Sequence, residues 1–490
     1  RSIIGKDFMD NSCGNGAFLT EAVRRYCEAF FSQYYFPYPG DTVPGDNDSF
    51  HYFLRKDLEN RIHGIEIDPE LCKECRQNLD DTVNKVMEIH DMKPMEDSIR
   101  WDIVCSDTLD VCSFYYGQMD YVIGNPPYVR TRNLSDKKIR KFWFSSSGMA
   151  DIYLAFFDLG IKMLKPCGKL CYITPRTWTV NKSGQNMRVE LKNTGFLTAI
   201  TDLKSIQPFN GITTFTLITE IVKFPDFIRF SKGRNKSFLY RTLKKDSSNG
   251  NIQSVSIRKI GYDEMDMKEH ILFGTEKMNK EMDEIMHPES QGFLRPEKAG
   301  LSVRYGFCTT ADSVFIKDKF DFDSDMIIPV YKPSTGKWRK CIFPYDQHDG
   351  TPLIFNDKDL SDYFIQNRKT LLKGKTEETV PNWYLFGKSQ GLKDIGKWRI
   401  AMSNIFKPSE PETSNIAEIP PGSGIYNGLY IVSQSGKRLD FKLIRKILES
   451  PEFYAYGQMF GRYKRGGWFG IKAVEVEKIL NWKLSGGRMN

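Results

Sequence analysis

The sequence predicts an α/β fold in which a Rossmann-like sheet with helices on both faces is followed by a mixed α+β domain. Three observations carry this. Four short apolar runs in the front half each end in a polar residue, Asp10, Glu66, Asp107 and Asn125. Parallel strands sharing one ligand-bearing carboxyl edge end in this way. Helix-start signals follow the first two runs, and from Leu301 the chain changes to short strands and glycine turns. The expected division is residues 1–225, a connecting segment 226–290, and a back domain 291–490.

The first strand is expected at Phe8-Met9-Asp10, followed by the loop Asn11-Ser12-Cys13-Gly14-Asn15-Gly16 and a helix from Ala17. Gly14 and Gly16 let the backbone turn tightly and approach a ligand, with a helix amino end behind. His63-Gly64-Ile65-Glu66-Ile67-Asp68 is a second strand ending in acids. Glu66 is placed to accept ribose hydroxyls, as acids at the tip of strand two do in nucleotide-binding sheets. Asp68 is the cap of a helix that starts at Pro69. Strand three, Ile103–Ser106, delivers the Asp107 carboxylate to the amino group of an adenine ring.

Strand four, Met119–Gly124, runs into Asn125-Pro126-Pro127-Tyr128. Two prolines remove two backbone donors and turn the strand end into a stiff loop. The loop offers the side-chain oxygen of Asn125, the main-chain carbonyl of Pro126 and the ring of Tyr128. Two acceptors and a ring suit a planar aromatic amine: both hydrogens of an exocyclic NH2 are held, and the nitrogen lone pair is left free. The plainer reading is a surface turn, and the order of motifs upstream decides against it.

Hydrophobic content of 40% and charged content of 27% are those of a soluble globular chain of two or three domains. With neither a bilayer-length apolar run nor a signal peptide, no membrane partner and a cytoplasmic location are expected. Ten scattered cysteines, with Cys72 and Cys75 the only pair at C-x-x-C spacing, read as reduced thiols rather than metal ligands. The net charge of +8 resides in the back half, residues 1–224 being nearly neutral, which is expected of a back half that meets a polyanion.

The order of glycine loop, ribose acid, adenine acid and Asn-Pro-Pro-Tyr resembles the amino-methyltransferases that use S-adenosylmethionine. Within them it is most similar to the gamma-arrangement DNA adenine methyltransferases of restriction-modification systems. Their glycine motif, Asp-Pro-Ala-Cys-Gly-Ser-Gly-x-Phe-Leu, is met by Asp10–Leu19 with Asn11-Ser12 in place of Pro-Ala. Asp151-Ile152-Tyr153-Leu154-Ala155-Phe156-Phe157 is similar to their Asp-Leu-Tyr-x-x-Phe helix. Lys165–Pro175 matches their next strand, and Ile206–Ile218 resembles a late hairpin that carries a base clamp.

The resemblance implies a methyltransferase sheet in residues 1–225 and a target-recognition domain in 291–490. It implies transfer of a methyl group from S-adenosylmethionine to the exocyclic amino group of an adenine flipped out of duplex DNA. Asn125, Pro126 and Tyr128 are then catalytic, with Tyr128 and Phe209 stacking on the base. Cofactor contacts fall to Asp10, Cys13, Gly14, Gly16, Phe18, Glu66, Ile67, Asp107, Thr108, Asn125 and Pro127, with no metal. Partners are duplex DNA and a cognate restriction endonuclease or fused nuclease. The resemblance also implies a pocket-closing segment ahead of the glycine loop, which Arg1–Met9 does not supply.

In the back half, Leu301–Ile316 is a looser match to the start of the specificity domain. Basic residues set among aromatics and glycines make Arg304, Lys337, Arg339, Arg399, Arg462, Lys464 and Arg465 the expected DNA contacts. The alternatives are a protein-glutamine or RNA methyltransferase, since an amide or a nucleobase amine fits the same cup, or the methyltransferase half of a fused restriction enzyme. The long basic tail argues against the compact enzymes.

Overall fold

A computed structural model describes residues 2–34, 47–129, 136–146, 151–204, 206, 208–209, 215–225, 235–245, 251–264, 270–286, 300–354, 357–373, 383–387, 390–460, 463–464 and 467–485. The chain divides into two compact units, Arg1–Phe273 and Gly274–Asn490.

The first unit is built on one sheet. Its strands are β1 (Phe8–Asp10), β2 (Ile62–Glu66), β3 (Asp102–Cys105), β4 (Met119–Gly124), β5 (Leu164–Pro175), β6 (Leu197–Asp202), β7 (Thr216–Val222), β8 (Ser237–Lys245) and β9 (Ile252–Gly261). They lie in the order β3-β2-β1-β4-β5-β7-β6-β8-β9. Strands β3 to β5 of that row pair in parallel, whereas β7 runs antiparallel to both neighbours. The order reverses between β1 and β4, and at such a switch point the crossover helices leave to opposite faces and open a crevice at the strands' carboxyl ends.

Helices α1 (Ala17–Tyr34), α2 (Asn47–Arg61) and α3 (Pro69–Ile89) connect the first strands. Leu19, Val23 and Cys27 of α1 recur at every fourth residue and face Cys72, Cys75, Leu79 and Val83 of α3 in one buried cluster. Asp68 caps α3, its Oδ1 accepting from the amides of Glu70 and Leu71 at 2.9 and 3.4 Å, with Pro69 entering the first turn. Next come α4 (Thr108–Val111), α5 (Asp136–Arg140), α6 (Tyr153–Met163) and α7 (Gln185–Thr194). Nine of the eleven α6 residues are buried. Gly160 brings α6 close to β5, since a Cβ there would lie 2.5 Å from Leu170 Cδ1.

The segment 226–290, expected as a connection, is corrected. Strands β8 and β9 extend the sheet of the first unit, β8 pairing in parallel with β6. A buried ion pair explains the attachment: Arg176 donates to Asp202 Oδ2 at 2.9 Å, and the Tyr240 hydroxyl of β8 donates to the same oxygen at 2.8 Å. The boundary therefore falls at Phe273 rather than 225, and the helix Glu276–Met286 belongs to the second unit.

The second unit is mixed. One four-stranded sheet runs Leu301–Tyr305, Leu429–Ser433, Arg399–Met402, Ala417–Ile419. A second runs Ile316–Lys317, Lys337–Ile342, Ile327–Lys332, Gly424–Ile425. A short three-stranded sheet carries Ile405–Phe406, Trp468–Gly470 and Tyr463–Lys464. One of its core clusters includes Phe307, Phe315, Phe343, Phe364 and Phe386.

Candidate active site

The carboxyl edge of β1 to β4 opens into a cavity of about 450 Å³. Ser12, Ile65, Glu66 and Ile67 form one side, and Asp107, Thr108 and Leu109 the next. Asn125, Pro127 and Val129 come from the loop after β4, Lys138 and Ile139 from α5, and Ile152 and Phe156 from α6. Of the residues expected from sequence, Glu66, Ile67, Asp107, Thr108, Asn125 and Pro127 line this cavity. Asp10, Cys13, Gly14, Gly16 and Phe18 lie on the adjoining strand, loop and helix start and do not line it.

The glycine loop is held by the residue expected to bind ribose. Gly14 and Gly16 have φ of +54° and +89°, a region that favours glycine. The Gly14 amide donates to Glu66 Oε2 at 2.9 Å, while Ile67 and Asp68 amides donate to Oε1 at 2.9 and 3.0 Å. A carboxylate has about four lone-pair sites, so Glu66 keeps capacity on Oε2 toward the cavity. The Cys13 side chain, by contrast, is buried against Gly64, and the neighbouring Cys75 thiol together with burial pushes its thiol pKa far up. It packs the loop.

Asp10 is 1% exposed. Its Oδ1 accepts from the Ser12 amide at 3.1 Å, while Oδ2 is buried with no hydrogen-bond partner among the described residues. Burial pushes its pKa up to about 7, with the Ser12 amide pulling it down and Glu66 adding to the rise. Gly124, the last residue of β4, has φ +153°, and a Cβ there would stand 2.5 Å from Asp10 Oδ1. The glycine before Asn125 is therefore a requirement of space.

Asn125 and Tyr128 meet: the Tyr128 hydroxyl donates to Asn125 Oδ1 and lies 3.0 Å from the main-chain oxygen of Ile173. Burial raises the Tyr128 pKa, so the hydroxyl remains a donor. Its ring stands edge-on to Tyr153 of α6, centroids 6.3 Å apart. Phe209 is half-buried against the cluster of Ile173, Leu203 and Ile206. Pro126 is buried.

Several cavity residues were not foreseen. Ile152 and Phe156 were within reach of sequence reasoning, because they lie four apart in Asp151–Phe157 and so share a helix face. Lys138 had no local signal; its Nζ lies 2.6 Å from Asp107 Oδ2 and 2.7 Å from Asp110 Oδ2, across 31 and 28 residues of chain.

Among the expected DNA contacts, Lys337 and Lys464 are exposed, and Arg339 is paired with Asp318 at 2.8 Å. Arg399 is corrected. It is 2% exposed, and its guanidinium donates to the carbonyls of Lys397, Ile395, Pro420 and Ser423. Burial lowers its pKa to about 10, and no phosphate can reach it in this fold. Arg304, one-third exposed like Arg339, pairs with the fully buried carboxylate of Asp394, which also binds Lys397 and the Tyr430 hydroxyl at 2.9 Å each. Arg462 and Arg465 lie outside the described residues.

The sheet order, its antiparallel β7 and a crevice at the β1/β4 switch define the class: an open, doubly wound α/β fold with its ligand crevice at the switch point. The site fits the cofactor that the sequence motifs imply, S-adenosylmethionine. Its volume is in the range of about 300–1,000 Å³ typical of small-molecule sites; apolar Ile65, Ile67, Leu109 and Phe156 suit a purine ring, and two carboxylates suit hydroxyl and amino donors.

Residues 55–209 match the Eco57I restriction-modification methylase family. The chain is 23% identical to the Type II methyltransferase M.BstVI of Geobacillus stearothermophilus, over 96% of this chain and 84% of that protein. It is also 23% identical to the Type II restriction enzyme and methyltransferase RM.Eco57I of Escherichia coli, over 95% of this chain but only 52% of that protein. The Type IIL restriction-modification enzyme MmeI, solved in complex with DNA, superimposes with a TM-score of 0.68 at 13% identity, over 97% of this chain and 62% of that one. Along nearly its whole length this chain is thus similar to Type II restriction-modification methyltransferases.

Proposed function

We propose that the protein methylates DNA at a specific sequence, as part of a restriction-modification system, and that its target is the exocyclic amino group of an adenine turned out of the duplex. The observation that carries the reading is the placement of Asn125 at the cavity rim, directly after a glycine that only a glycine's space permits, with its side-chain oxygen fixed by Tyr128.

Bound S-adenosylmethionine supplies an electrophilic methyl group on sulfur. Glu66 holds the ribose hydroxyls, Asp107 takes the adenine amino group, and the apolar walls exclude water. Asn125 Oδ1, which has a second lone pair beside the one used by Tyr128, and the Pro126 carbonyl accept the two hydrogens of the target amine. Its nitrogen lone pair then faces the cavity. Neither acceptor is a strong base, so the rate comes from orientation and polarisation. Tyr128 and Phe209 stack on the extruded base, offsetting the few kcal/mol that unstacking costs. Arg304, Lys337, Arg339 and Lys464, with Arg462 and Arg465, meet the DNA. A separate or fused nuclease is the expected partner.

The test is transfer of labelled methyl from the cofactor to duplex DNA, structured RNA or a release-factor protein. Label is expected on adenine in DNA alone; label on cytosine, or on the protein substrate, overturns the reading. Asn125→Ala is expected to lower kcat at least 100-fold and leave the cofactor Kd nearly unchanged by calorimetry.

A further inference from the structure

Lys138 lines the cavity, yet the reaction described above gives it no role. Its ammonium is held between Asp107 Oδ2 and Asp110 Oδ2 at 2.6 and 2.7 Å, both acids belonging to the start of α4. Asp107 Oδ1 meanwhile accepts the Leu109 amide at 2.9 Å. One oxygen of Asp107 is thus fixed by the main chain and the other by Lys138, so the carboxylate cannot rotate without losing a partner. Lys141, three residues further on, reaches the Leu109 carbonyl at 3.4 Å, so a second cation fastens the same segment to α4.

An exposed Lys–Asp pair by itself contributes little. Here one ammonium faces two carboxylates that would otherwise repel each other across a single turn. The acids in turn raise the Lys138 pKa above its ordinary value, Asp107 foremost. Ile139, the next residue, is part of the cavity wall. The bridge therefore sets two things at once: the direction of the Asp107 carboxylate and the position of α5 against the cavity.

We infer that Lys138 is a positioning residue for S-adenosylmethionine, bridging Asp107 and Asp110 so that the adenine-binding carboxylate is aimed and the α5 wall is closed. The inference rests on the methyltransferase reading above. It requires that loss of the bridge be felt in cofactor binding rather than in the transfer itself. Asp110 separates the two effects, since it holds Lys138 but does not line the cavity.

The experiment is calorimetric titration of the full chain with S-adenosylmethionine and its demethylated product, together with steady-state kinetics on duplex DNA. Lys138→Met keeps the stem and removes the charge. It is expected to raise the cofactor Kd and KM about three- to tenfold, with kcat changed less than twofold. Lys138→Arg is expected to restore affinity, because a guanidinium also reaches two carboxylates. Asp110→Asn is expected to act in the same direction, and its effect to be non-additive with Lys138→Met. An unchanged Kd in Lys138→Met, or a loss confined to kcat, overturns the inference. So does a fall in the Tm of the cofactor-free chain with the cofactor-induced Tm shift intact, which is the signature of a merely structural lysine. A wild-type chain that binds no S-adenosylmethionine overturns the methyltransferase reading first, and this inference with it.

Discussion

Replacing Asp10 by Asn is expected to stabilise the first unit by an amount that grows with pH. Asp10 is buried beneath the switch point with one oxygen unpaired among the described residues, and its pKa rises from 3.8 to about 7. At about 1.36 kcal/mol per pH unit, holding the ionised carboxyl in the folded chain costs about 4 kcal/mol. The folded state keeps a proton that the unfolded state releases above pH 4. The stability contributed by Asp10 is therefore complete below about pH 4 and is lost as pH climbs to about 7, after which it is level. Asn carries no such dependence and still accepts from the Ser12 amide. Between pH 5 and 8 the advantage of Asp10→Asn over wild type should grow by roughly 2–3 kcal/mol. Urea titrations read by hydrogen exchange in peptides from β1 and β4 isolate this unit from the second. A midpoint difference that is flat with pH, or that shrinks, refutes the argument that desolvation dominates at this carboxyl.

Two further predictions concern residues whose partners are main-chain groups. Glu66→Gln leaves one acceptor oxygen and puts an NH2 where either the Gly14 amide or the Ile67 and Asp68 amides now donate; cofactor affinity measured by calorimetry should fall about 10- to 100-fold, and an unchanged Kd would remove Glu66 from the cofactor site. Arg399→Met strips the donor from four carbonyls and should destabilise the second unit by about 3 kcal/mol in urea, while the slope of log K for DNA against log salt stays the same. A slope reduced by about one would make Arg399 a phosphate contact after all.

What the sequence determined alone is what neighbours along the chain decide. Asp68 before Pro69 caps α3, Gly14 and Gly16 adopt left-handed backbone, and two prolines end β4, because each effect acts within a few residues. Polar residues at strand tips also converged on one edge, since parallel strands in such a sheet all end there: Glu66, Asp107 and Asn125 share a cavity. Tertiary structure decided which charged groups are available. Lys138 meets Asp107 over 31 residues, Arg304 meets Asp394 over 90, and Arg399 disappears among carbonyls as far as 24 residues away. Composition marks all three only as basic. Whether a cation faces solvent, a cavity or a buried carbonyl depends on which distant segments pack around it, and no local pattern records that choice. The same holds for β8 and β9, whose polar, loop-like flanks concealed two strands fixed to the sheet by the buried Asp202 and its partners Arg176 and Tyr240.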